Sequence, residues 1–334
     1  MDRRRLLTLA LGATASGALA VGAGCSRRGG AAAEPAVGVA QLGDTVQGTS
    51  PMVAAERYFA QQVSTLTQGR LQIEVVPGGT LGDDNRVNEM VRTGQVAFAK
   101  TLVNNLMAYD KRLGVLALPY VFTDEKQCLA MLDGELGRRC ISILDECGLV
   151  ALAYFYGGDR NLYNAKRPVH TPADLKGLRI RVPQNIVSID MINAMGASAV
   201  PMATNDILSA LQQHVVDGAE NNAVFYLAEE HVLYAPYFSR TRHQQSVNVL
   251  MASKKWLSEQ PSATQQAVRE AGRRAQTEQI RLWDQESALA LDRAKSQHAV
   301  INDVDVAAFR RTLAPVLQEH RGTFGDLAAL LPDA

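Results

Sequence analysis

Thr171-Pro172-Ala173-Asp174-Leu175-Lys176-Gly177-Leu178-Arg179-Ile180-Arg181-Val182-Pro183 is the stretch on which the fold turns. Leu178–Val182 alternates apolar residues with Arg179 and Arg181, the two-residue period of a strand. Pro183-Gln184-Asn185 then opens a helix that runs to about Met195. A strand feeding a helix, with an arginine at its carboxyl end, is the building block of an open α/β sheet. Ligands of such sheets bind where the strands end.

Outward from this unit the alternation continues in both directions. Upstream, Val37–Leu42, Leu71–Val76, Val96–Ala99 and Leu149–Tyr156 read as strands, and Leu116–Phe122 as a strand-like apolar run. Between them Met52–Leu66, Asn85–Thr93 and most of Asp124–Cys147 read as helices, with Asp124 as an N-cap. Downstream, Ala197–Val200, Val216–Glu220 and Ser246–Ala252 read as strands and Asn205–Gln213 as a helix. The pattern predicts an α/β protein with two sheets. A capping box at Ser262-Ala263-Thr264-Gln265 starts a helical pattern that holds to about Gln297 without proline. Some 35 such residues span about 50 Å. That suits a coiled-coil partner or a brace across two lobes. No further heptads extend it, which favours the brace.

The 334 residues suffice for one large domain or two medium ones, and 47% hydrophobic with 20% charged residues is an ordinary globular balance. Lys plus Arg equals Asp plus Glu at 34 each. The zero conceals a basic leader: residues 1–33 hold five arginines against Asp2 alone, and the rest carries 29 bases against 33 acids. With no basic run outside the leader, nucleic acid is not an expected partner. Arg3-Arg4-Arg5-Leu6-Leu7 and the uncharged stretch to Gly24 form an export signal that resembles the twin-arginine kind. An uncleaved membrane anchor is the alternative, although few of those residues are Leu, Ile or Phe. Cys25 follows small residues, as at a lipoprotein processing site, but Gly22 stands where Leu is usual. Lipid anchoring at Cys25 and simple cleavage near Ala18-Leu19-Ala20 or within Ala31-Ala32-Ala33 are both open. Residues 1–35 are thus export signal and tether, and the expected location is the periplasm. Cys128 and Cys140 share one expected helix about 18 Å apart, and Cys147 lies about 10 Å further on. Free buried thiols are therefore expected.

No phosphate-cradling or dinucleotide loop, no G-x-S-x-G elbow and no metal spacing is present in the sequence. His170, His214, His231, His243, His298 and His320 show no ligand pairing at i+4. Neither catalysis nor a cofactor is expected. The polar residues at strand ends are more informative: Lys100 after Val96–Ala99, Arg160 after Tyr156, Arg181, and Asn221 with Asn222 after Val216–Glu220. Taken singly, each cation reads first as half of a surface salt bridge. Converging on one cleft, they suit a hydroxylated anion, because guanidinium forks match carboxylates.

The opening stretch resembles the solute-binding proteins of tripartite ATP-independent periplasmic (TRAP) transporters, of the C4-dicarboxylate-receptor type. So do Met195-Gly196-Ala197-Ser198-Ala199-Val200-Pro201-Met202, Ala210-Leu211-Gln212 and Val215-Val216-Asp217-Gly218-Ala219-Glu220-Asn221. Gly78-Gly79-Thr80-Leu81-Gly82-Asp83, Leu118-Pro119-Tyr120-Val121-Phe122 and Arg160-Asn161-Leu162-Tyr163-Asn164 fit as well. The likeness covers about residues 37–325. It implies two α/β lobes, 36–158 with 247–286 and 159–246 with 287–334, joined by hinge strands and braced by the long helix. It implies that Arg181 clamps a ligand carboxylate, that Arg160 and Asn221 also face the ligand, and that Lys100 helps set specificity. Asn222 and Gln184 would read hydroxyls. Glu220-Asn221-Asn222 and His231 resemble the sugar-acid branch, notably hexuronate receptors. Phe225 stands where that branch often has Ser, followed by an aromatic, here Tyr226, which is expected to contact the ligand. The loop Gln47-Gly48-Thr49-Ser50-Pro51 lines the implied cleft but lacks the His-Pro often seen there. The implied partner is a TRAP membrane permease. A ligand-sensing subunit, a C4-dicarboxylate or other keto- or hydroxy-acid binder, and an exported enzyme are the rival readings.

Overall fold

A computed structural model describes residues 38–332; the leader, with Cys25, lies outside them. The strands are β1 (Gly38–Gly43), β2 (Leu71–Val76), β3 (Phe98–Leu102), β4 (Leu149–Asn164), β5 (Arg179–Val182), β6 (Ser198–Pro201), β7 (Gly218–Asn221), β8 (Tyr237–Ser253) and β9 (Val300–Asp303). The helices are α1 (Pro51–Leu66), α2 (Asp84–Thr93), α3 (Glu125–Asp133), α4 (Glu135–Glu146), α5 (Ile186–Ala194), α6 (Ile207–Gln212), α7 (Ala223–Ala228), α8 (Lys254–Ser258), α9 (Ser262–Ser296) and α10 (Val306–Arg321). Short 3₁₀ turns join several of them.

The expected α/β class holds, but the strands form one nine-stranded sheet in place of two, in the order β2-β1-β3-β8-β4-β7-β5-β6, with β9 beside β8. The reason lies in β4 and β8, 16 and 17 residues long, which pair antiparallel along most of their length. Their outer halves escape an apolar reading because they carry Arg160, Asn161, Gln244 and Gln245. Arg160, Asn161 and Gln245 are buried with hydrogen bonds made across the sheet, and Gln244 with one to the Ala117 carbonyl. The flank β2-β1-β3 thus lies on one side of the long pair and β7-β5-β6 on the other. The β4–β8 register shifts between Tyr156 and Asp159, at Gly157-Gly158. Gly158 has φ +70°, and a Cβ there would meet the Trp283 ring at 2.8 Å. Glycine is required on both counts.

Helix α9 is the long helix expected from the pattern. Its buried face is mostly small: Ala267, Ala271, Gly272, Ala275, Ala290 and Ala294, with Val268, Gln279 and Trp283. Small side chains let it lie close on β4, and Gly272 approaches the Leu152 carbonyl. Gln279 accepts from the Tyr156 amide at 2.9 Å and donates to the Tyr156 carbonyl at 2.7 Å, fixing the helix beside the register shift. The expected capping box does not form. Pro261 occupies the cap position without a side-chain bond, and Gln265 Nε2 donates instead to the Gln260 carbonyl.

Two more expectations are corrected. Gly134, in extended backbone, divides Asp124–Cys147 into α3 and α4, so Cys128 and Cys140 occupy separate helices. All three thiols of the described residues are free, two buried and Cys147 half-buried. Leu116–Phe122 is no strand: a 3₁₀ helix ends at Ala117, and Tyr120 takes φ +55° after Pro119. Asp124 does cap α3, accepting from the Gln127 amide. Beyond the long helix, β9 joins the sheet beside β8, and α10 completes a core around Phe309, Leu313 and Val316.

Candidate functional site

A cleft opens across β3, β4, β5 and β7, lined from the first flank by Thr45, Asp84 and Lys100, from the central pair by Arg160, and from the second flank by Arg181 and Asn221. The strands put these side chains there, and Arg160, expected after a strand ending at Tyr156, lies inside β4, which continues to Asn164. Lys100 lies inside β3, Arg181 near the end of β5 and Asn221 at the last position of β7, in register with Asn161.

The two arginines differ. Arg160 is committed: Nε donates to Glu220 Oε2 at 2.6 Å, Nη2 to Glu220 Oε1 at 2.8 Å, and Nη1 to Asn221 Oδ1 at 3.2 Å. Burial would raise the Glu220 carboxyl, but Arg160 and His243 outweigh it and hold the pKa at about 2. Arg181 is 2% exposed, and Nε and Nη2 donate to the Met202 carbonyl at 3.0 and 2.6 Å. No carboxylate of the described residues lies within ion-pair distance of it, and Nη1 has no protein acceptor among them. Burial, with Arg160 adding repulsion, pulls its pKa down to about 10. A buried guanidinium in this state favours any anion that reaches it.

Around this charge, the amides divide their work. Asn221 Oδ1 accepts from Arg160 and from the Asn222 backbone and side chain, so its Nδ2 is the group left to donate into the cleft. Asn222 caps α7, accepting from the Phe225 amide at 2.7 Å. It orients Asn221 through its own Nδ2 and lines the cleft wall. Lys100 Nζ pairs with Asp44 Oδ1 at 2.9 Å. Burial would lower its pKa, but the Asp44 charge and hydrogen bond outweigh it, so the ammonium keeps its proton.

Two residues singled out in the sequence lie elsewhere. Gln184 is exposed and outside the cleft lining; its Oε1 accepts from Asn85 Nδ2 at 2.9 Å. Pro183 turns the chain after β5, so the residue next but two to Arg181 leaves the cleft. Tyr226 is wholly buried against Tyr163 and Phe238, and its hydroxyl donates to the Ala235 carbonyl. Its neighbour Phe225 lines the cleft in its place, because adjacent residues of a helix face different ways.

The cleft also uses residues not read from the sequence. Asp84, the first residue of α2, accepts from Thr45 Oγ1 at 3.0 Å and from Thr204 Oγ1 at 2.8 Å. Its carboxylate therefore ties the first flank to the loop after β6. The acidic pair Asp83-Asp84 at the start of α2 was the available signal. Gln47 and Glu229 make a second such tie, the Gln47 amide donating to Glu229 Oε1 at 2.8 Å. Ser246, Asn248 and Trp283 complete the lining at the register shift.

Residues 42–322 match the family model DctP, bacterial extracellular solute-binding protein, family 7. The chain belongs to this family. A solute-binding protein of Chromohalobacter salexigens is 33% identical over 276 residues, 82% of each chain. A TRAP periplasmic solute-binding protein of Sulfitobacter sp. NAS-14.1, solved with bound β-D-galacturonate, superposes with a TM-score of 0.86 at 29% identity. The match covers 89% of this chain and all of that one. Another from Chromohalobacter salexigens, solved with bound D-glucuronate, gives 0.84 at 32% identity, covering 87% and 97%. The family resemblance and the fold class expected from the sequence are both confirmed. No helix of the described residues is long and apolar enough to cross a membrane.

Proposed function

We propose that this family 7 solute-binding protein is the extracytoplasmic receptor of a TRAP permease and binds a hexuronate monoanion through Arg181. The observation that carries the reading is the buried Arg181 guanidinium, free of any carboxylate among the described residues and lining the cleft. The ligand carboxylate pairs with Arg181, and Asn221 Nδ2 donates beside it. The galacturonate and glucuronate held by the structural relatives support a sugar acid.

Asp84 argues for one carboxylate over two. It lines the same cleft, so it accepts from ligand hydroxyls and repels a second carboxylate. Phe225 adds an apolar wall suited to the C–H face of a sugar ring. The binding chemistry is recognition without turnover. The lobes are 36–158 with 247–286 and 159–246 with 287–334, hinged at Gly157-Gly158. The bonds Asp84–Thr204, Asn85–Gln184 and Gln47–Glu229 are the ones opening would break. Residues 1–35 direct export and tether the protein in the periplasm, with or without lipid on Cys25.

Calorimetry with D-glucuronate, D-galacturonate, the matching aldarates and C4-dicarboxylates tests the reading. Micromolar or tighter binding of one uronate, returned unchanged, is expected, with the dicarboxylates at least 100-fold weaker. Preference for a dicarboxylate, or turnover of the uronate, overturns it.

A further inference from the structure

Glu56, on α1, is wholly buried, and neither of its carboxyl oxygens meets a donor among the described residues. Asp44, in the loop after β1, is 2% exposed; its Oδ1 accepts from the Val46 amide and from Lys100 Nζ, while its Oδ2 is likewise without a donor. The Asp44 and Glu56 side chains stand within hydrogen-bond reach of each other. Three unpartnered acceptor atoms in one buried spot are costly as two carboxylates. One proton between them satisfies Asp44 Oδ2 and one Glu56 oxygen together.

We propose that Glu56 is a resident neutral acid that donates its proton to Asp44 Oδ2 and positions Lys100 at the cleft wall. The charged groups facing Glu56 are Asp44 and Lys100 from the sheet side and Arg57 on its own helix. Burial, then the Asp44 charge, pushes the Glu56 carboxyl well above its usual range, outweighing Lys100 and Arg57.

The consequence is in the charge of the site. Arg160 balances Glu220 and Lys100 balances Asp44, leaving Arg181 and Asp84 as the remaining opposed charges of the cleft. With Glu56 neutral, these groups sum to zero and an anion enters without opposition. With Glu56 ionised they sum to a negative charge, and Lys100 is drawn between two carboxylates. This role rests on the anion-binding reading; the protonated state does not.

Infrared difference spectroscopy of the wild type against Glu56→Gln at neutral pH tests the protonated state without ligand. The carbonyl stretch of a protonated carboxylic acid is expected in the wild type and absent from the variant. Absence of that band from the difference overturns the proposal. Calorimetry with D-galacturonate and D-glucuronate then tests the role. Glu56→Ala, which leaves Asp44 Oδ2 without its donor, is expected to weaken binding about tenfold or more. Gln, whose amide donates to Asp44 as the acid does, is expected to rescue it. From neutral to mildly alkaline pH, wild-type affinity should fall more steeply than that of Glu56→Gln, with both falling further as Arg181 titrates at about 10. Equal affinity and equal pH profiles in all three proteins overturn the positioning role. A band in a protein that binds neither uronate removes the receptor reading and its consequence, and leaves the neutral acid established.

Discussion

Replacing Arg181 by Met separates recognition from stability at one position. The buried guanidinium has its pKa at about 10 in place of 12.5. At about 1.4 kcal/mol per pH unit, the folded chain bears about 3 kcal/mol against the charged form. Met removes that burden while filling much of the same volume. It also strips the Met202 carbonyl of two donors, a loss of about 1–3 kcal/mol. The two effects offset to within about 2 kcal/mol, so the ligand-free variant should melt within a few degrees of the wild type. Binding has no such offset. Nη1 and the remaining Nη2 hydrogen can make two charge-assisted bonds to a carboxylate, each contributing about 1.5–3 kcal/mol. Their loss, about 3–6 kcal/mol, weakens uronate binding between about 10² and 10⁴-fold. Arg181→Lys, which keeps the charge but not the fork, should fall between. Calorimetry and ligand-induced thermal shifts on the same samples supply both readings. A Met variant that binds uronate within tenfold of the wild type would show that the carboxylate is held elsewhere.

Other expectations follow from the same contacts. Glu229 titrates at about 7 when folded, because burial and the Asp44 charge outweigh the Gln47 amide; unfolded it titrates near 4.5. The folded state thus binds more protons between those values, so this contribution is complete below 4.5 and lost as the pH rises through 7. Glu229→Gln should therefore be about 2–3 kcal/mol more stable than the wild type at about pH 8, the gap closing toward about pH 4.5 in chemical denaturation. Gly218→Ala should cost about 3 kcal/mol or more in the same assay, since its Cβ would fall 2.2 Å from the Tyr163 carbonyl oxygen, where neither backbone can move aside. Gln184→Ala should leave uronate affinity within about twofold, removing one exposed bond to Asn85; a hundredfold loss by calorimetry would return Gln184 to the cleft.

The long helix, the strand-helix order and the family were legible because each rests on local pattern. The single sheet was not: the outer halves of β4 and β8 bury Arg160 and Gln245 in side-chain bonds that no hydropathy period registers. Nor does the sequence distinguish Arg160 from Arg181. Both read as strand-end cations, yet Arg160 lies inside β4 and is bound to Glu220, 60 positions away, while Arg181 meets only a carbonyl. Tyr226 shows the limit of carrying a role along a motif. On a one-and-a-half-turn helix a single step exchanges the cleft for the core, and Phe225 takes the outward place. Asp84 is not read from the sequence at all, because its partners, Thr45 and Thr204, come from loops far apart in the chain.

The long central strand pair also dictates when the molecule can fold. Phe98 pairs with Ala252, and Leu149 with Ser253. The β2-β1-β3 flank therefore has no central neighbour until about three quarters of the chain has been synthesised, and the brace comes later still. A nascent chain stopped before Tyr237 carries β3 and β4 with open edges and large apolar faces, the features that invite association between chains. Closing such distant pairs is slow relative to forming local helices. The same architecture that makes one binding cleft from distant parts of the sequence thus leaves the growing chain with unpaired strand edges until β8 arrives to complete the sheet.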